Sequence, residues 1–335
     1  MMIEEIKQKL LKKNRNFSFK TNDWERVLSQ SSESPVFYSK MSVKYFIEYY
    51  RGQDLSIVIY ENSEPVCIFA LFAYKENHNW VISSNGTGVN GPLFIPNIAK
   101  RLRKRLEKQL QEFIYEIALI LEIETISFYE ESQTISSWYL MWLKKANKDF
   151  LTYHFAIDLT KSLEDIRLDF RKSYKPLVNK AYKEWEVKVC DNNIDAVFEE
   201  FRLLHIEAAG RETRQKSSWD IQKDQVKNGE AFLVTIRDDG LLIGAGLFTY
   251  SKHNGIYSVG AYKRELFDRP IGHAVQMMAI EKLKDIGCRT YHLGQKAVDM
   301  GDAKFTEKEK SISYFKEGFA GYAYSQPHIQ VCFDE

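Results

Sequence analysis

A chain of 335 residues carrying 47 Lys and Arg against 46 Asp and Glu, net +1, has room for two domains with a core each. So even a charge balance gives no whole-molecule case for binding nucleic acid or a membrane surface, and leaves only local ones. Cys67, Cys190, Cys288 and Cys332 form no C-x-x-C pair, and the lysine-rich stretch Met1 to Arg15 has no apolar signal-peptide core. We therefore expect reduced, buried thiols, no metal centre, no membrane span and a soluble cytoplasmic protein.

The first half predicts a helix from Asp23-Trp24 to Gln30, a loop around Ser34-Pro35, and strands at Leu55 to Tyr60 and Pro65 to Tyr74 around a hairpin turn, Glu61-Asn62-Ser63-Glu64. A strand from Trp80 to Ser84 then runs into a glycine-rich stretch, Asn85-Gly86-Thr87-Gly88-Val89-Asn90-Gly91-Pro92-Leu93. The next helix, about 98 to 121, places Leu102, Leu106, Leu110, Phe113, Ile117 and Ile120 at helical spacing. A strand from Thr125 to Tyr129, a helix from Thr134 to Ala146 and a strand from Thr152 to Ile157 complete this pass. Gly86-x-Gly88 has the composition of a phosphate cradle, and Lys100, Arg101, Arg103, Lys104, Arg105 and Lys108 add positive charge. A charge run on an amphipathic helix is more often a solvated face, and we read most of these cations that way.

The second half opens with a charged stretch, Leu163 to Trp185, containing Phe170-Arg171-Lys172-Ser173-Tyr174-Lys175-Pro176. Helices at Ile194 to Ala209 and Ser217 to Asn228 lead to strands at Ala231 to Arg237, Leu241 to Tyr250 and Ile256 to Gly260, separated by the turns Asp238-Asp239-Gly240 and His253-Asn254-Gly255. Next, Arg269-Pro270-Ile271-Gly272-His273-Ala274 opens a helix reaching about Ile286. A bare glycine at a helix start, where amide groups lack partners and the dipole is positive, suits an anion. The GNAT acyltransferases hold the pyrophosphate of acyl-CoA on a Gln/Arg-x-x-Gly-x-Gly/Ala pattern that these six residues resemble. An ordinary Arg-Pro-x-Gly helix start explains them about as well.

Downstream lie Cys288-Arg289-Thr290-Tyr291-His292-Leu293-Gly294, then Lys310-Ser311-Ile312-Ser313-Tyr314-Phe315-Lys316-Glu317-Gly318-Phe319-Ala320-Gly321. Helix, Tyr-Asp-x-Gly strand and Phe-Lys-x-Gly-Phe-Gly segment, in that order, are similar to the C-terminal half of the Fem-type acyltransferases, tandem-GNAT enzymes that include those attaching amino acids to peptidoglycan precursors. Gly91-Pro92-Leu93 resembles a motif of their first unit, so the resemblance covers most of the chain. It implies an α+β fold of two tandem GNAT-like units, each a mixed, mostly antiparallel sheet flanked by helices, which we place at 1–156, on the acceptor side and degenerate or not, and at 157–335, binding the donor and carrying catalysis.

The resemblance also implies roles for residues. The family's lysine near the transferring carbonyl falls on Lys316, after Phe315; on residue type alone a lone lysine before a glycine turn is a surface residue. His292 departs from the family's aspartate, and is read either as a packed ring or as a neutral base for the amine proton. Arg269, Ile271, Gly272, His273 and Ala274 are the candidates for holding the donor's diphosphate. In GNAT units the first two helices wall the acceptor, which makes Arg211 and Arg214 candidates for substrate contacts and Glu207 a candidate for substrate contact and catalysis; Gly210 as a helix cap with cations beside it is the structural alternative. Tyr257 and Tyr262 are candidates for lining an acyl channel, although strand aromatics usually just pack.

Acyl transfer to an amine needs an activated carbonyl, a neutral amine, a proton acceptor and a donor facing the oxyanion. No G-x-S-x-G elbow or activated cysteine is present, so direct attack by the acceptor amine is the economical route. Three readings remain. In the first an acyl-CoA such as acetyl-CoA acylates a small-molecule amine, for example an amino sugar of a surface-glycan precursor. In the second an aminoacyl-tRNA is the donor to a peptidoglycan or other envelope amine, Arg171 to Lys183 and Lys100 to Lys108 serving the tRNA. In the third the units are an inactive binding module. Gly272 and Ala274, the near-neutral charge and the lack of a long helical hairpin between Tyr174 and Trp185 favour the first.

Overall fold

Apolar residues at every second position in strands, and every third or fourth in helices, sort this chain into two units. In the computed structural model, which describes residues 2–31, 35–131, 134–299 and 304–333, both units mix helices with sheets in the expected α+β class; Ser34 of the expected loop lies outside the described residues. Unit 1 comprises Met1–Thr152 with Ser325–Glu335, and unit 2 comprises Tyr153–Tyr324.

Unit 1 contains α1 (Met2–Lys13), β1 (Phe17–Ser18), α2 (Trp24–Gln30), α3 (Lys40–Tyr49), β2 (Gln53–Asp54), β3 (Ile57–Glu61), β4 (Glu64–Phe69), β5 (Phe72–Glu76), β6 (Asn79–Ser83), β7 (Leu93–Phe94), α4 (Lys100–Leu121), β8 (Thr125–Tyr129) and α5 (Ser137–Leu143). The hairpin between β3 and β4 turns on Asn62 and Ser63, both at positive φ, as a type I′ turn requires. The expected strand from Pro65 to Tyr74 is two strands in different sheets, β1-β3-β4-β7 and β2-β5-β6. It breaks at the step from one sheet to the other, where the Ala70 carbonyl accepts from the Ser84 hydroxyl and the Leu71 carbonyl from both the Ser56 hydroxyl and the Leu55 amide. The α4 stripe is buried as its spacing predicts, with Leu106, Leu110, Phe113 and Ile117 all fully covered. α3, capped by Ser39 accepting from the Ser42 amide, had no expected counterpart because its Val-Lys-Tyr-Phe-Ile run has weak helical propensity.

β9 (Lys148–Asp158) carries the chain across the division between the units. Unit 2 then contains α6 (Leu163–Asp169), α7 (Tyr174–Glu184), β10 (Glu186–Cys190), α8 (Asp195–Ala209), α9 (Lys216–Lys227), β11 (Ala231–Asp238), β12 (Leu241–Tyr250), β13 (Asn254–Tyr262), α10 (Ile271–Ile286), β14 (Thr290–Lys296) and α11 (Glu307–Glu317). Its strands run β10-β11-β12-β13-β14-β9, antiparallel except for β13 and β14, which α10 connects as a crossover. One face packs α10 through Ala274, Val275, Ile280 and Leu283, the other α8 and α9 through Phe198, Phe201 and Trp219. β10 is an addition to the expected elements.

β15 (Tyr322–Cys332) closes the chain, and its residues His328 to Cys332 pair with Tyr129 to Thr125 of β8. The described residues Ser325 to Phe333 therefore belong with unit 1, whereas a division at 156/157 runs the second unit to residue 335. All four cysteines are free, but only Cys67 and Cys288 are buried; Cys190 is partly covered and Cys332 exposed. Among the described residues no group of three His, Cys, Asp or Glu side chains is placed to hold a metal, and no helix is long and apolar enough to cross a membrane.

Candidate active site

The two parallel strands of unit 2 stay together for only three residue pairs, Asn254 with Thr290, Gly255 with Tyr291 and Ile256 with His292. Beyond them β13 continues to Tyr262 bonded only to β12, and β14 to Lys296 bonded only to β9. The strands thus splay, leaving two facing rows of backbone N–H and C=O groups without ladder partners, a cleft able to receive an extended amide- or ester-bearing chain.

Two irregularities shape this cleft. On β13 the register slips between Leu247 and Phe248 of the partner strand, leaving Ser258 as an extra residue. One inserted residue turns the alternation over, so Tyr257 and Tyr262, five apart, fall on the same face with hydroxyls 3.1 Å apart. Burial pushes both phenols up, so they stay protonated. Beside them the buried Gln276 of α10 accepts from the Tyr291 hydroxyl at 2.5 Å. On β14 the register slips between His292 and Gly294, and Gly294 adopts φ +103°, a conformation other residues rarely hold. A Cβ there would lie 2.8 Å from Nζ of Lys316, so the ammonium rests directly over the bare backbone of the bulge.

Lys316 belongs to the last turn of α11 rather than to a loop. A capping box at Thr306 and Glu309 starts this helix, whose successive residues point about 100° apart. Phe315 therefore packs edge-on against His273, at 5.2 Å, while Lys316 reaches Gly294 and lies 6.0 Å from the centre of the Tyr257 ring. Removal from solvent holds the Lys316 ammonium below the ordinary lysine range. His154 of β9, which the sequence reading did not single out, joins this group: burial, and secondly the Lys316 charge, lower it to about 4, so its ring is neutral at physiological pH. It stacks on Tyr324 at 5.6 Å. Nothing in the sequence distinguishes His154 from any other polar strand residue; only the neighbouring strands bring it to the lysine.

His292 is also held neutral, at about 4 and chiefly by burial. Its Nδ1 lies 2.9 Å from the Tyr324 hydroxyl and its Nε2 3.3 Å from Asn254 Oδ1. That arrangement suits a ring donating from Nε2 and accepting at Nδ1, with no lone pair to spare, which favours the packed reading over the base.

The mouth of α10 adjoins the lysine. A Cβ on Gly272 would stand 3.0 Å from the Phe315 ring and 3.6 Å from that of Tyr262. Its anion-binding capacity is partly spent, however. Pro270 has no N–H, the amides of Ile271 and His273 donate to the carbonyls of Arg269 and Pro270, and Ile271 and Ala274 are buried. The Arg269 guanidinium is paired with the Glu184 carboxylate and lies 5.1 Å from the centre of the Trp185 ring. His273, lowered to about 4 by burial, is enclosed by Tyr174, Phe315 and Phe319. The structure thus brings Lys316, Phe315, Gly272, His273, Tyr257 and Tyr262 together. Glu207 and Arg211 are exposed at the end of α8, where Gly210 forms a left-handed cap, and Arg214 stacks on Trp219 at 4.0 Å.

By sequence the chain matches no family model and no curated protein. By structure it is similar over 93% of its length to FemX, covering 96% of that chain at 13% identity and a TM-score of 0.66. The chain has the Fem-like tandem-GNAT fold. A protein from Agrobacterium fabrum named as a lysylphosphatidylglycerol synthetase C-terminal domain shares this fold at 11% identity, TM-score 0.59, with 93% of this chain and 90% of that one covered. So does a tandem GNAT protein of the clavulanic acid pathway, at 12% identity and TM-score 0.53, covering 94% and 95%. In unit 2, Lys316 stands where the two parallel strands part.

Proposed function

We propose that this protein is a Fem-type N-acyltransferase that moves an aminoacyl group from an aminoacyl-tRNA to an amine of an envelope precursor, with unit 2 holding the donor carbonyl. The observation that carries the reading is the open cleft beside Lys316 combined with a helix mouth whose anion-binding groups are largely committed. An acyl-CoA donor needs free amides and a free guanidinium for its diphosphate, and here Arg269 and two of the amides already have partners. An aminoacyl ester asks only that its extended chain and carbonyl enter the cleft. The FemX likeness supports this order of donors, as does the neighbour whose name joins lysine to phosphatidylglycerol.

In this reading the neutral acceptor amine attacks the ester carbonyl directly while the Lys316 ammonium faces the oxyanion; the tetrahedral intermediate collapses by breaking the ester C–O bond, and the tRNA's terminal ribose hydroxyl leaves carrying the amine's proton. In so enclosed a place one such donor is worth about 3 kcal/mol. Tyr257 and Tyr262, protonated and mutually bonded, line the acyl path, and His154 is a neutral imidazole beside Lys316. His292 positions the end of the cleft through Tyr324 and Asn254. Glu207, Arg211 and Arg214 are assigned to the acceptor.

The bare Gly272 beside Phe315 keeps acyl-CoA as the second reading, with an amino sugar or other small amine as acceptor. The two separate in one comparison: retention of charged tRNA on a filter against the melting shift produced by acetyl-CoA. Retention of charged over uncharged tRNA, with no shift from acetyl-CoA, is the expected result; the opposite pattern overturns the donor assignment, and no response to either supports a binding module.

A further inference from the structure

Away from the cleft, a cavity of about 380 Å³ lies among α6, α7 and α10, a size in the usual range for small-ligand pockets. Its wall is apolar at Leu163, Leu168 and Met277, and carries Glu281 and Lys175 as charged groups, with Arg167 and Glu164 also present.

Four polar side chains along this helix pair lack hydrogen-bond or ion-pair partners among the described residues. His273, Met277 and Glu281 recur every fourth residue of α10 and so share the face turned toward α7. Both ring nitrogens of His273 and the Tyr182 hydroxyl are buried without a hydrogen bond among the described residues. Neither Glu281 nor Lys175 has an ion-pair or hydrogen-bond partner among the described residues, although both line one cavity; Arg167 is engaged by Asn179 at 2.9 Å. Burial pushes the Glu281 carboxyl up, and the Arg167 charge pulls it back.

A separated carboxylate and ammonium with an aliphatic wall is complementary to a small zwitterion with an apolar side chain. We propose that the α6–α7–α10 cavity binds a free aliphatic α-amino acid, its ammonium on Glu281, its carboxylate on Lys175 and its side chain against Leu163, Leu168 and Met277. This site is independent of the donor assignment.

The test is calorimetric titration of the full chain with L-leucine, alongside Glu281→Gln, Lys175→Gln and Lys316→Ala. Saturable binding in the wild type, weakened about tenfold or more by either cavity variant and unchanged in Lys316→Ala, is the expected result, one lost charge contact being worth about a factor of ten. No saturable heat up to millimolar leucine overturns the proposal. So does binding that the Lys316 variant alone abolishes, which would place the ligand in the cleft, or equal binding of n-pentylamine, which lacks the carboxylate. Because these are surface or half-buried polar changes, their melting temperatures show whether the variants remain folded.

Discussion

The two units answer the same geometric problem in opposite ways. In unit 1 the glycine-rich stretch is threaded along β8: the Val89 amide donates to Ser127 O at 2.8 Å, the Tyr129 amide to Val89 O at 3.2 Å, and Val89 bridges Phe128 in parallel. Gly88 allows this approach, since a Cβ there would meet the Ser127 carbonyl oxygen at 2.7 Å. Backbone therefore saturates the edge of β8 that a ligand would otherwise use. In unit 2 the corresponding edges of β13 and β14 are left without a ladder, and a lysine stands at the fork. Glycine closes a gap in one unit and makes room for a cation in the other. The lesson is that a Gly-x-Gly composition says only that something comes close; what comes close decides between packing and chemistry.

Breaking the fork should have the largest effect. Lys316→Ala is expected to lower turnover roughly a hundredfold or more while donor binding changes little, measured as kcat against KM with charged tRNA and acceptor; an unchanged kcat removes the lysine from the mechanism. Since burial lowers the Lys316 pKa, a role as cation also requires activity to fall as pH rises through that lowered value. A rate that rises through the same range contradicts it.

Paired glycine substitutions sharpen the contrast. Gly88→Ala forces a methyl against fixed backbone and is expected to cost about 1–3 kcal/mol, some degrees of melting temperature, without touching unit 2 chemistry. Gly294→Ala meets only the flexible end of Lys316 besides its backbone strain, so turnover should suffer more than stability. Equal damage to both properties in both variants would dissolve the distinction.

A smaller effect is a loss of stability in acid specific to unit 2. His154, His273 and His292 are each lowered to about 4 in the folded chain, against about 6.5 unfolded. The unfolded state binds protons first, so stability is complete above pH 6.5 and declines as pH falls toward 4, by up to about 2 kcal/mol for a buried ring at pH 5. His273→Phe should flatten that decline in a melting series; an unaltered slope would show that the ring does not stay neutral. Least of all, Arg269→Gln should cost under about 1 kcal/mol, its pairing with Glu184 being part-exposed, and should leave donor affinity unchanged. A marked loss of acetyl-CoA binding would restore the diphosphate reading.

Much of the fold was legible because it rests on local rules. The α4 stripe, the Asn62-Ser63 turn, the limits of β8 and β12, and the helix opening at Ile271 follow from periodicity and turn chemistry alone. The break at Ala70 was hidden because the serine hydroxyls bonded there are distant in sequence, and β10 because its Glu-Val-Lys-Val alternation follows a charged helix without punctuation. At the candidate site, motif order pointed to Lys316, Phe315 and Gly272, which do meet. It could not find His154, and it left His292 open between base and packed ring.

By itself the sequence determined the class of each unit and the motif carrying the lysine, since propensity, spacing and residue type act over a few positions. Only the tertiary structure decided that β13 and β14 part after three pairs, that Arg269 is spent on Glu184, and that the first glycine stretch is backbone filling. These depend on which distant groups compete for the same hydrogen bonds and charges, a competition settled only when the strands and helices are packed together.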